Sequence, residues 1–65
     1  MEKSAMKRWA VLARYAYRDT GDIDIQQVDV NARSYHEAIT KGKARMARHV
    51  DIAFYGVTAE QYPEE

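Results

Sequence analysis

Few side chains in this 65-residue chain are of the types that do covalent or metal chemistry. The two histidines, His36 and His49, stand 13 positions apart, outside metal-ligand spacing, and no cysteine is present to complete a zinc site. Ser4 and Ser34 are the only serines, with no base placed in sequence to activate either. Gly21, Gly42 and Gly56 are isolated, so no glycine-rich loop cradles a phosphate. The expectation is a protein that is not an enzyme and takes no metal or cofactor. What remains is the chemistry of recognition: Trp9, five tyrosines and ten lysines and arginines, residue types that anchor protein interfaces or stack on and neutralise nucleic acid.

These side chains must be positioned by one small domain, residues 1–65, with an ordered core over about 7–60 and frayed termini. Hydrophobic residues at 46% and charged residues at 31% are globular values and argue against wholesale disorder. No apolar run approaches the roughly 18 residues of a membrane span, and the start Met1-Glu2-Lys3-Ser4 does not read as a secretory signal. A cytoplasmic protein is expected.

Residues 8–18 alternate with period two. Trp9, Val11, Ala13, Tyr15 and Tyr17 fall on one face, with Arg8, Ala10, Leu12, Arg14, Ala16 and Arg18 on the other, the pattern of a half-buried strand. Asp19-Thr20-Gly21 then predicts a three-residue hairpin loop with Gly21 at its left-handed position. The second strand, Ile23 to Ala32, changes phase at Gln26-Gln27, which predicts a β-bulge there. With that bulge Tyr17 faces Ile23, Tyr15 faces Ile25, Ala13 faces Val28, Val11 faces Val30 and Trp9 faces Ala32, so every apolar pair shares one side.

Ser34-Tyr35-His36-Glu37 forms a capping box and opens a helix over about Tyr35 to Val50, whose inner side carries Tyr35, Ala38, Ile39, Gly42, Met46, His49 and Val50. Gly42 on that stripe predicts close approach of helix to sheet. A third strand runs over about Ile52 to Ala59. The order ββαβ gives an α+β fold: a three-stranded antiparallel sheet of order 2-1-3, with a right-handed crossover and one helix on one face.

The other face has nothing left to cover it. It is expected to carry Leu12, Arg14 and Arg18 from strand 1 and Asp22, Asp24, Asp29 and Asn31 from strand 2. Strand 3 adds either Ile52 and Phe54, or Ala53, Tyr55 and Val57, so each choice brings an aromatic, and Tyr55 is the candidate. Leu12, Arg14, Arg18 and Tyr55 are the expected partner-binding residues of this face. A homodimer would cover the same face, and strands 2 and 3 are edges open to strand addition. A second candidate surface is the basic helix stripe of Lys41, Arg45 and Arg48, with Lys43 on its flank, suited to an acidic protein groove or to nucleic-acid phosphate.

Ten basic and ten acidic residues sum to zero but are distributed in blocks. Residues 1–18 carry +4, residues 19–32 carry −4, residues 33–50 carry +4, and residues 51–65 restore neutrality. Neutrality disfavours general nucleic-acid affinity and favours a charge-patterned protein partner.

Trp9-Ala10 after the basic pair Lys7-Arg8, and the junction Ala32-x-Ser34-x-x-Glu37-Ala38-Ile39, give the chain a likeness over about residues 7–58. In these features it resembles the small ββαβ proteins that bacteriophages make to bind host machinery, the inhibitors of host RNA polymerase among them. The resemblance implies the ββαβ fold and a compact inhibitor that blocks a bacterial host complex by binding, with RNA polymerase, a CRISPR effector or another defence component as the target. It transfers no interface residue. The polymerase inhibitor places arginines on strand 3 and has an acidic helix, whereas here residues 52–58 hold no arginine and the helix is basic. The alternative expectation is a small nucleic-acid-binding regulator that uses the helix stripe.

Overall fold

The computed structural model describes residues 6–63. Strand β1 (Lys7–Tyr17), strand β2 (Ile23–Ala32), helix α1 (Tyr35–Met46) and strand β3 (Ile52–Gln61) follow one another. The three strands form one antiparallel sheet of order β2-β1-β3. The α+β ββαβ architecture expected from the alternation and the capping box is the observed one.

The core lies between the helix and one face of the sheet. Trp9, Val11, Ala13 and Tyr15 of β1 are buried there with Val30 and Ala32 of β2, Ala38 and Met46 of α1, and Ile52 of β3. Gly42 allows the layers to approach: a Cβ at this position would sit 2.5 Å from Val11 Cγ1 and 2.8 Å from Val11 Cβ. Trp9 turns its indole N–H to the Ala32 carbonyl at 3.0 Å and meets Tyr35 edge-on at 6.3 Å between ring centroids. Tyr35 itself remains half exposed, not buried with the stripe as expected.

The hairpin differs from the expected one. Tyr17 N–H bonds to the Asp22 carbonyl at 2.8 Å and Gly21 N–H to the Tyr17 carbonyl at 2.7 Å, enclosing a four-residue loop, Arg18–Gly21. Gly21 does take the left-handed conformation, at φ 79°. From there the register runs from Ala16↔Ile23 to Lys7↔Ala32 without interruption, so β2 has no bulge at Gln26-Gln27. Tyr15 therefore pairs with Asp24 and Ala13 with Gln26 on the helix side, while Ile23 and Ile25 go to the opposite face. Two causes are visible. Gln26 accepts the Tyr15 hydroxyl at 3.0 Å, giving a polar residue a task on the helix side. A 12-residue helix is also only about 18 Å long beside strands of about 33 Å, so the start of β2 has no layer above it to demand apolar residues.

The bulge falls in β3 instead. Arg14 pairs with Gly56 and Tyr15 with Phe54, leaving Tyr55 as the extra residue. The shift lets Ile52 and Phe54 face the helix before it, and Val57 and Ala59 after it, so each of the two expected phases of strand 3 holds for part of its length.

The capping box forms as expected. Ser34 Oγ accepts the Glu37 N–H at 3.1 Å, and the Glu37 carboxylate reaches back to the Arg33 N–H at 2.8 Å. That backbone bond, helped by Lys41 at 3.4 Å, holds the Glu37 carboxyl below its ordinary value of 4.5. A group whose value is lowered on folding stabilises above its unfolded value, so this contribution is present above pH 4.5 and is lost as pH falls through the lower folded value. Ser34→Ala is expected to cost about 1 kcal/mol in urea unfolding at neutral pH.

The helix ends at Met46, short of the expected Val50. Ala47 N–H closes the last turn on the Lys43 carbonyl, and residues 47–51 turn toward the hairpin end, where Arg18 N–H bonds to the Asp51 carbonyl. The chain must reach Ile52 beside Tyr17 to begin β3, and a further helical turn would carry it past. His49 and Val50 are accordingly exposed, not on the inner stripe. At the other end β3 continues to Gln61, beyond the expected Ala59, and Tyr62 bonds through its N–H to the Arg8 carbonyl and through its hydroxyl to Asp29, each at 2.9 Å. Residues 60–62, expected in the tail, are thus tied to β1 and β2 by these bonds, while the expected terminal segments 1–5 and 64–65 lie outside the described residues.

Candidate functional site

On the sheet face away from the helix, three cross-strand rows define the surface: Gln27–Leu12–Thr58, Ile25–Arg14–Gly56 and Ile23–Ala16–Ala53. Leu12, Ile23, Ile25 and Tyr55 are 44%, 61%, 57% and 67% exposed. Neighbours in such rows lie about 5 Å apart across strands and about 7 Å apart along them, so these side chains form one patch. Gly56 lies among them with open space where a side chain would be, which leaves a shallow dip beside Arg14 and the bulged Tyr55.

Arg14 is exposed and has no ion pair or hydrogen bond among the described residues. Its charge in the middle of an apolar patch is available to a partner. The far end of the same face is polar and already satisfied: Asp29 takes the Tyr62 hydroxyl at 2.9 Å, a bond that raises the Tyr62 phenol above its ordinary range, and pairs with Arg8 at 3.6 Å, whose charge opposes that rise. The face is therefore divided, with its unsatisfied half at the hairpin end.

Of the residues expected on this face, Leu12, Arg14 and Tyr55 are exposed at its centre. Arg18 belongs to the loop, not to the strand, and pairs with Asp51 at 3.0 Å. Asp24 pairs with Tyr15 on the helix side, and Asp22 precedes the strand; Asp29 and Asn31 are on the open face as expected. Ile23 and Ile25 join the site without having been anticipated. Their signal is the phase change at Gln26-Gln27 itself: with no bulge to realign the strand, the apolar residues before it and after it lie on opposite faces.

The helix cations do not form one free stripe. Lys41 donates to the Asn31 carbonyl at 2.7 Å and pairs with Glu37, and Arg45 donates to the Asp29 carbonyl at 3.1 Å. Lys43 lies over the Phe54 ring, 5.4 Å from its centroid. Arg48, expected on the helix, falls in the turn after its end at Met46; it is exposed and lines, with Lys41 and Arg45, a shallow groove of about 520 Å³ between the helix and the β2 edge. Among the described residues no three of His, Asp or Glu converge on a common point, and no helix is long and apolar enough to cross a membrane.

No family model, curated protein or solved structure matches this chain.

Proposed function

We propose that this is a non-enzymatic binding protein that docks the hairpin half of its open sheet face onto a bacterial macromolecular complex and blocks it. The observation that supports docking is the clustering of Leu12, Ile23, Ile25 and Tyr55 around an uncommitted Arg14, on a face with no layer over it. Aliphatic and aromatic anchors beside an arginine are the composition of interface centres. The resemblance to small phage proteins supplies the second half of the reading: action in the bacterial cytoplasm, with RNA polymerase or a CRISPR or other defence effector as target. A nucleic-acid role draws less support. Of the four cations expected on the helix, two are bonded to the chain's own carbonyls, a third lies over Phe54 and Arg48 lies beyond the helix end, and the total charge is zero.

The test is affinity capture from bacterial lysate with the wild-type protein and a Leu12→Asp/Tyr55→Ser variant, followed by assay of the captured complex with added free protein. The wild type is expected to retain a complex and inhibit it; the variant, still folded because both side chains are exposed, is expected to lose at least about tenfold in affinity. Equal capture by both proteins, or capture without inhibition, would refute the proposal. Binding of duplex DNA or RNA that falls steeply with salt would favour the helix instead.

A further inference from the structure

The free edge of β2 has two unlike halves. In an antiparallel pair, alternate residues of an edge strand turn their N–H and C=O groups away from the neighbour. Tyr17 bonding to the Asp22 carbonyl sets the phase: even residues of β2 face β1, and Ile23, Ile25, Gln27, Asp29 and Asn31 face outward. The outward carbonyls of Asp29 and Asn31 are taken by Arg45 and Lys41. The outward groups of Ile23 and Gln27 have no partner among the described residues, and Ile25 N–H is held only by the adjacent Asp24 carboxylate at 2.8 Å. One half of the edge is closed by cations, and the other is open for strand pairing.

We infer that the open half pairs with the same segment of a second copy, antiparallel about a two-fold axis at Ile25. In that register Ile23 lies opposite Gln27, Asp24 opposite Gln26, and Gly21 opposite Asp29. The Asp19–Asp22 turn of each copy then arrives beside Arg45, Lys41 and Arg48 of the other. Asp19, Asp22 and Asp24 form no ion pair among the described residues, so the acidic segment meets the basic groove twice, once at each end of the symmetric contact. A register shifted by one pair, with Asp24 opposite Asp24, would set like charges together. Charge complementarity thus selects both the occupant and its alignment. The product is a continuous six-stranded sheet that leaves the open faces of both copies uncovered, so the inference stands independently of the docking proposal. A short edge contact of this kind falls well below the roughly 1,200 Å² of stable complexes, which makes it a weak dimer.

Sedimentation equilibrium over about 10 µM to about 1 mM is expected to show dimer formation that weakens as salt is raised. Gln27→Pro removes an outward N–H without touching the ladder to β1 and is expected to weaken the dimer roughly tenfold or more. Asp19→Arg/Asp22→Arg and Arg45→Glu/Arg48→Glu are each expected to be monomeric alone, and to form a heterodimer when mixed, because both ends then carry opposite charges. On the wild type, amide exchange at Ile23 and Gln27 is expected to slow as concentration rises, a readout that needs no variant to fold. A monomer at about 1 mM would overturn the inference, as would a dimer dissolved by Leu12→Asp/Tyr55→Ser but not by Gln27→Pro, since the open face would then be the contact. Charge-swapped variants that fail to associate on mixing would overturn it too. So would a monomer whose Ile23 and Gln27 amides shift only on adding an alternating Lys-Val peptide, because the edge would then serve a foreign basic strand.

Discussion

Replacing Gly42 by leucine is expected to cost about 3 kcal/mol or more, a large share of the stability of a domain this small. The Cβ that any other residue would bring lies within 3.0 Å of three Val11 side-chain carbons. Val11 has no accessible surface and stands on the central strand, hydrogen-bonded on both sides, so it cannot move aside. Overpacking a core by a few methylenes costs about 1–3 kcal/mol, and a leucine directed into a fixed strand belongs at or above the upper end. A 65-residue domain has roughly 3–10 kcal/mol in total. Gly42→Ala separates packing from propensity by its sign. Helix propensity alone predicts a gain of about 1 kcal/mol, whereas the contact with Val11 predicts a net loss. Thermal unfolding followed by circular dichroism reads both variants; an unchanged or raised melting temperature would show that helix and sheet are not in contact at this point.

Trp9→Ala is expected to cost about 3–5 kcal/mol, the usual range for removing a large buried aromatic. The indole fills the end of the core, where β1, β2 and the start of α1 meet, and its N–H occupies the Ala32 carbonyl. The substitution leaves a cavity and removes the indole bond together, while the Ala32 carbonyl keeps its place in the ladder opposite Lys7. Trp9→Phe keeps most of the apolar volume and isolates the lost hydrogen bond, expected at about 0.5–1.5 kcal/mol. Urea unfolding by circular dichroism measures both, because the only tryptophan, and with it the fluorescence signal, is lost in each variant. A loss below about 1 kcal/mol for Trp9→Ala would mean that this end of the core is not closed.

How far the sequence could be read depended on how many residues a signal involved. The inner row of β1, from Trp9 to Tyr15, alternates without a break and gave the central strand and the antiparallel order around it. Ser34 and Glu37 marked the helix start. Gly42 marked the closest approach of helix and sheet, because nothing else explains a glycine on a buried stripe. The register of β2 was misread for a physical reason: matching every apolar residue to the core assumes that the core extends the whole length of the strand. It does not. The helix stops at Met46, the radius of gyration of 13.3 Å exceeds the roughly 11 Å of a compact chain this size, and Ile23 and Ile25 lie beyond the covered region. The apolar residues that did not fit the core without a bulge were those of the open face. The β3 bulge was equally hidden, since Phe54-Tyr55-Gly56 reads in either phase until the neighbouring strand fixes it.

The charge blocks took on meaning only once their partners were located. Lys41 and Arg45 look like a free stripe along the helix and turn out to close half of a sheet edge. Arg18, expected on the open face, is spent on Asp51, while Arg14 four residues earlier has no partner among the described residues. Spacing along an element identifies candidates, and hydrogen bonds across elements decide which remain available.

The docking proposal is tested most directly by mapping protection in the complex recovered by affinity capture. Hydroxyl-radical footprinting of the free and bound protein reports the accessibility of Leu12, Ile23, Ile25 and Tyr55 on one face, and of His36 and His49 on the helix and the segment after it. Loss of labelling at the first four with unchanged labelling at the two histidines is the predicted result. Protection of the histidines with Leu12 and Tyr55 labelled as in the free protein would contradict it and place the partner on the helix.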